Sequence, residues 1–117
     1  MAKISTERGE INISSSVFTN IVGMAASNCF GVKGMAVRSM TDGLVHLLRK
    51  EAANKGVLVT FHPDGDVSID LHIIVNYGVN ISAVGEAIIS EVRYVVSKTT
   101  ETQVRDVNVF VDAIMVG

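Results

Sequence analysis

The chain has 117 residues, 48% of them apolar and 19% charged, with a formal charge of −2. That balance fits one compact globular domain and excludes a disordered chain. The acidic pI near 5.8 speaks against a protein built to hold a phosphate backbone, which carries a basic excess.

Residues 1–8 are polar and are expected to form a flexible N-terminus, with a single domain over 9–117. MAKISTERGEI has no apolar h-region, and no apolar run approaches the ~18 residues of a membrane span. A lone cysteine, Cys29, excludes an internal disulfide and points to a reducing compartment. The expectation is a cytoplasmic protein with no direct membrane insertion, peripheral at a membrane only through a partner.

GEINIS, Gly9 to Ser14, alternates and reads as a short strand. Any of Ser14, Ser15 and Ser16 can cap the helix that follows, which runs to about Asn28 with an apolar stripe of Val17, Ile21 and Met24 or Ala25. CFGVKGMAV, Cys29 to Val37, reads as a helix stop followed by a short strand or turn. Thr41 or Asp42 then caps a second, shorter helix that contains Leu44, Leu47 and Leu48 and ends before Gly56.

Val57, Val59 and Phe61 alternate up to Pro63-Asp64-Gly65, a three-residue hairpin loop. Val67, Ile69, Leu71, Ile73, Val75 and Tyr77 alternate after it. Closing that loop pairs His62 with Asp66, Phe61 with Val67 and Thr60 with Ser68, apolar against apolar and polar against polar. Asn80 or Ser82 caps a long helix to about Thr99, with Val84, Ile88, Val92 and Val95 or Val96 on its inner stripe. The last strand is Arg105 to Val116, with Val107, Val109, Val111, Ala113 and Met115 on one face and Asp106, Asn108, Phe110, Asp112 and Ile114 on the other. The order β-α-(α)-β-β-α-β, with one apolar face per strand, defines an α+β two-layer sandwich: a mixed sheet with helices on one face.

Little in this pattern carries reaction chemistry. His46, His62 and His72 fall on different elements, whereas a metal site needs convergent ligands. Cys29 has no triad partners in view. The Asp64–Asp70 stretch lacks the glycine position and distal glutamate of a calcium loop. An open sheet face that stacks nucleic-acid bases needs aromatic and basic residues, but here it offers Asp70, Asp106 and Asp112 with Phe110 as its sole aromatic. No catalytic, cofactor-binding or metal residues are assigned, and no nucleic-acid partner. The unusual feature is apolar: Leu58, Ile74, Phe110 and Ile114 fall on the nominally polar face, where they are either one protein-contact patch or scattered.

Three segments in order resemble the alkaline shock protein family, envelope-stress and general-stress proteins of mostly Gram-positive bacteria. The first is GEINISSSVFTNIVGMAASNCFGVKGM, through Gly9, Ile11, Ile13, Gly31, Val32, Gly34 and Met35. The second is KGVLVTFHPDGDVSIDLHIIVNYGVNI, through Lys55, Gly56, Val57, Asp70, Leu71, Ile73, Val75, Tyr77, Gly78 and Ile81. The third is VRDVNVFVDAI, through Val104, Val107, Asn108, Val109 and Val111. Two departures are Ser82, where the family often has proline, and a less glycine-rich 38–54 stretch.

The resemblance implies a small, non-enzymatic cytoplasmic protein that self-associates as a homo-oligomer. It implies partners in a membrane-anchored relative or in an envelope or lipid-metabolism protein. Gly9, Gly31, Gly34, Gly56, Asp70, Tyr77, Gly78 and Asn108 would then be kept for shape. The alternative is a binder of a phosphorylated metabolite or acyl ligand, using the Gly31–Gly34 and Gly43 loops.

Overall fold

The computed structural model describes residues 2–38, 45–48 and 56–116. The chain folds as a two-layer α+β sandwich plus a small ribbon. Strand β1 (Ala2–Thr6) pairs antiparallel with β2 (Gly9–Ile13), from Ala2 opposite Ile13 to Thr6 opposite Gly9. Residues 2–8 are thus not a loose tail: two five-residue strands satisfy each other's backbone groups. The ribbon puts Ile4 opposite Ile11 and closes its Lys3–Glu10 ion pair at 3.2 Å.

Helix α1 (Ser15–Ser27) starts at Ser14, whose hydroxyl accepts the Val17 N–H. Its buried side is Phe18, Val22, Ala25 and Ala26, while Val17 and Met24 are exposed. The stripe expected from spacing is therefore offset by one position. Phe18 fills the core edge-on to Phe61 (centroids 5.4 Å apart), and the two alanines let the helix approach its neighbours closely. Val17 and Met24 are left on the outer side, with Ile21 half-buried at the edge of the core.

Strand β3 (Val32–Arg38) follows, then β4 (Val45–Leu48), which pairs antiparallel with β3 from Met35 opposite Leu48 to Arg38 opposite Val45. Leu47 and Leu48 are therefore strand residues, not part of a second helix. Four residues, Val-His-Leu-Leu, have no decisive period of their own, and pairing with the edge of β3 decides their conformation. Thr41, Asp42, Gly43 and Leu44 lie outside the described residues.

Strands β5 (Val57–Phe61) and β6 (Val67–Asn76) form the expected hairpin in the expected register. The His62 N–H donates to Asp66 O at 2.8 Å across a turn in which Gly65 has φ +95°. Helix α2 (Ile81–Thr100), capped by Asn80 Oδ1 on the Ala83 N–H, carries the chain over the sheet to β7 (Val104–Met115), which pairs parallel with β6. The sheet is mixed, with β6 at its centre. One edge of β6 takes β7; the other takes β5 along residues 67–71 and β3 along 73–75, end to end.

Val67, Ile69, Leu71, Ile73 and Val75 of β6 are fully buried under Phe18 and Val22 of α1 and Ile88, Val92 and Val96 of α2. Burial of such side chains is the main stabilising term, about 1.5–3 kcal/mol each. Arg93 ties α2 to β7 by donating to the Val104 and Arg105 carbonyls at 2.9 and 3.0 Å.

Candidate interaction surfaces

The outer face of the sheet, opposite the helices, is a lattice of side-chain pairs. Register places Leu58 beside Asp70 and Asp70 beside Asn108, whose amide donates to Asp70 Oδ1 at 3.0 Å. His62 Nε2 lies 2.7 Å from Ser68 Oγ. His72 stacks on Phe110 (centroids 4.8 Å apart, planes 13° apart), and its Nδ1 lies 2.9 Å from the nearly buried Asp112 carboxylate. At the edge, Asp64 accepts from the Asp66 N–H and from Arg105, which hold its carboxyl below the usual carboxylate range.

The four apolar residues expected on this face do not form one patch. Leu58 and Phe110 are there, 59% and 44% exposed, with the Asp70 and His72 row of β6 between them. Ile74 is on the same face but only 3% exposed. Ile114 is not on it. A bulge after Val111 puts Ala113 opposite Ile74 and Ile114 opposite Val75, a helix-side position. Strict alternation misses the bulge because one extra residue inverts every later side chain.

The remaining motif residues sit where shape demands them. Gly34 is a buried position inside β3, opposite Ile74. It is therefore not part of a ligand loop with Gly31, and Gly43 lies outside the described residues. Gly31 (φ +90°) packs against Val84: a Cβ there would lie 2.7 Å from Val84 Cγ2. It borders a concavity of about 550 Å³ with Phe30, Tyr77, Val79 and Val84. Its lining holds no lysine or arginine, so it offers a phosphate no cation.

That concavity opens at one end of the sandwich, where the sequence marked Gly31, Tyr77 and Gly78 singly but did not bring them together as an apolar surface. The turn after α1, the β6–α2 corner and the end of β7 meet there. The Asn76 N–H donates to Gly31 O at 3.0 Å, and the Tyr77 N–H to Met115 O at 2.9 Å. Phe30 is 90% exposed and Tyr77 73%. The available signal was three apolar residues at separate strand and helix ends; their convergence depends on the fold.

A second apolar depression, a groove of about 660 Å³, runs between α1 and α2 and includes Ile21, Met24, Cys29, Glu91 and Val95. Burial, and secondarily the Glu91 charge, push the Cys29 thiol above its ordinary pKa. A raised pKa means less thiolate at a given pH, and thiolate is the reacting form. At pH 8 iodoacetamide is expected to label Cys29 several-fold more slowly in the folded protein than in the urea-unfolded chain, with Glu91→Gln partly restoring the rate. Equal rates in folded and unfolded protein would contradict this environment. The same shift removes stability as pH rises from the unfolded to the folded thiol pKa.

Among the described residues no group of three His, Cys, Asp or Glu side chains is placed to hold a metal ion, and no helix is long and apolar enough to cross a membrane. Fold and surfaces together define a small α+β sandwich with a partly apolar sheet face, free of helices among the described residues, and an apolar end. The chain belongs to the alkaline shock protein 23 family, described as having a cell envelope-related function, whose sequence model matches residues 3–116. The resemblance read from the three motifs thus holds over nearly the whole chain.

The chain is 38% identical over 116 residues to the uncharacterized protein YloU of Bacillus subtilis, covering 97% of this chain and 95% of that one. It is equally 38% identical over 115 residues to an uncharacterized protein of Streptococcus pyogenes serotype M6, covering 97% and 94%. The uncharacterized protein YqhY of Bacillus subtilis is 30% identical over 106 residues, covering 91% and 77%. No solved structure matches the chain.

Proposed function

We propose that this chain is a non-catalytic interaction module of the envelope-stress response. It associates with itself and with a partner at the cell envelope, is linked to membrane-lipid homeostasis, and works from the cytoplasm, reaching the membrane only through that partner. The family's envelope-related description supports the setting. The observation that carries the reading is the outer sheet face, which among the described residues has no helix over it and exposes Leu58 and Phe110 within a pre-set polar lattice. Side chains already locked by their neighbours lose little freedom on docking, and exposed apolar groups rimmed by polar ones mark contact surfaces.

Complementation tests it. In a host strain lacking the gene and grown under envelope stress, the wild-type gene is expected to restore growth and Phe110→Asp to fail, although the variant folds. Full rescue by Phe110→Asp would remove the sheet face as the working surface.

A further inference from the structure

Six of the twelve exposed large apolar side chains among the described residues gather at the sandwich end: Phe30, Tyr77, Ile81, Ile114, Met115 and Val116. The fold does not need them there. Core-forming side chains of the same elements, such as Val75 and Val84, are already buried inward, whereas Phe30 and Tyr77 stand off the surface. The backbone beneath is fixed by the Gly31–Asn76 and Tyr77–Met115 hydrogen bonds, so the surface is presented ready-made.

We propose that this end is where a second copy of the chain binds, in a two-fold contact of the end with itself. This rests on the self-association in the reading above and assigns it to a surface separate from the sheet face.

Area and charge carry the assignment. At roughly 150–250 Å² for an aromatic side chain, Phe30 and Tyr77 expose on the order of 300 Å². The four aliphatic side chains bring the patch to on the order of 500–600 Å², at the top of what a monomer normally leaves open. Two such patches face to face bury about 1,100 Å², above the roughly 1,000 Å² that separates specific contacts from incidental ones.

In a two-fold contact near the axis every charge meets its own copy, so charged patches repel themselves. Residues 28–32, 76–84 and 113–116, which build this end, contain no charged residue. A surface meant for an oppositely charged partner has no reason to be neutral throughout. A surface meant for an anionic bilayer is expected to carry a cluster of lysine or arginine at its rim, and the segments and their immediate neighbours supply one lysine, Lys33. Tyr77 keeps a hydroxyl for the rim, as tyrosines at interfaces do.

The test is sedimentation velocity with multi-angle light scattering from about 1 to 500 µM. The wild-type chain is expected to shift from monomer to dimer with a micromolar dissociation constant. Phe30→Asp and Tyr77→Asp are each expected to weaken dimerisation at least tenfold, since each change enters the contact twice. Both positions are exposed, so circular dichroism should be unchanged; Phe30→Ser is the milder second variant. Leu58→Asp, on the sheet face, is expected to leave the dimer intact. A monomer at every concentration overturns the proposal, as does a dimer indifferent to both end substitutions. Co-sedimentation with phosphatidylcholine–phosphatidylglycerol vesicles supplies the remaining arm: vesicle binding lost in Phe30→Asp would make the bilayer the occupant and likewise overturn it. Each of these failures leaves the complementation result with Phe110→Asp to be judged separately.

Discussion

Gly56→Ala is expected to destabilise the protein by about 3 kcal/mol, although it adds a single methyl group. Strands β3 and β5 share one edge of β6 end to end, and Gly56 sits at their junction. A Cβ there would lie 2.7 Å from the Ala36 carbonyl oxygen and 3.0 Å from that of His72. Both are backbone atoms of the sheet, so relief requires the ladders themselves to part, a cost at the upper end of overpacking penalties. Against a typical total of about 5–15 kcal/mol, the melting temperature should fall by about 10 °C or more.

Gly85 of α2 is the control. A Cβ there meets nothing within 4 Å, so Gly85→Ala should stabilise by about 0.5–1 kcal/mol through helix propensity. Thermal unfolding followed by circular dichroism reads both signs. A Gly56→Ala protein melting with the wild type would mean that β3 and β5 do not abut on β6.

Gly56 also shows what was legible in the sequence. The resemblance marked it as a shape residue, but a lone glycine before a strand does not reveal that two other strands meet at it. The hairpin register, the start of each long helix to within two residues and the extent of the last strand were readable because each depends on short-range pattern: alternation, a Pro-Asp-Gly turn, a polar residue ahead of an apolar stripe. β1 was not, because its mostly polar residues read as a tail; β4 and the bulge in β7 were not, because each is decided by its partner strand's edge. The same holds for the candidate surfaces. Leu58 and Phe110 were found by alternation alone, Ile114 was misplaced by one bulge residue, Tyr77 was marked only as a shape residue, and Phe30 escaped notice because no periodicity links a helix stop to a strand end.

The α1 face is the sharpest of these differences, and one pair of variants decides it. The helix is apolar on two adjoining rows, Val17–Ile21–Met24 and Phe18–Val22–Ala25, so spacing does not choose between them. Volume and shape do. In the structure Phe18 is fully buried against Phe61, while Met24 lies partly open beside the groove to α2. Phe18→Ala removes a buried ring and leaves a cavity, for an expected loss of about 3–5 kcal/mol. Met24→Ala gives up a half-exposed thioether and gains helix propensity, so its effect should stay within about 0.5 kcal/mol. Urea unfolding of the two variants measures the contrast. If Met24→Ala proved the costlier change, the helix would be rotated by about one residue, roughly 100°. Met24, which now lines the outer groove, would then belong to the core. With the order as expected, Val17 and Met24 stay a surface feature of α1, and the groove that Ile21 and Met24 border with Val95 stays open.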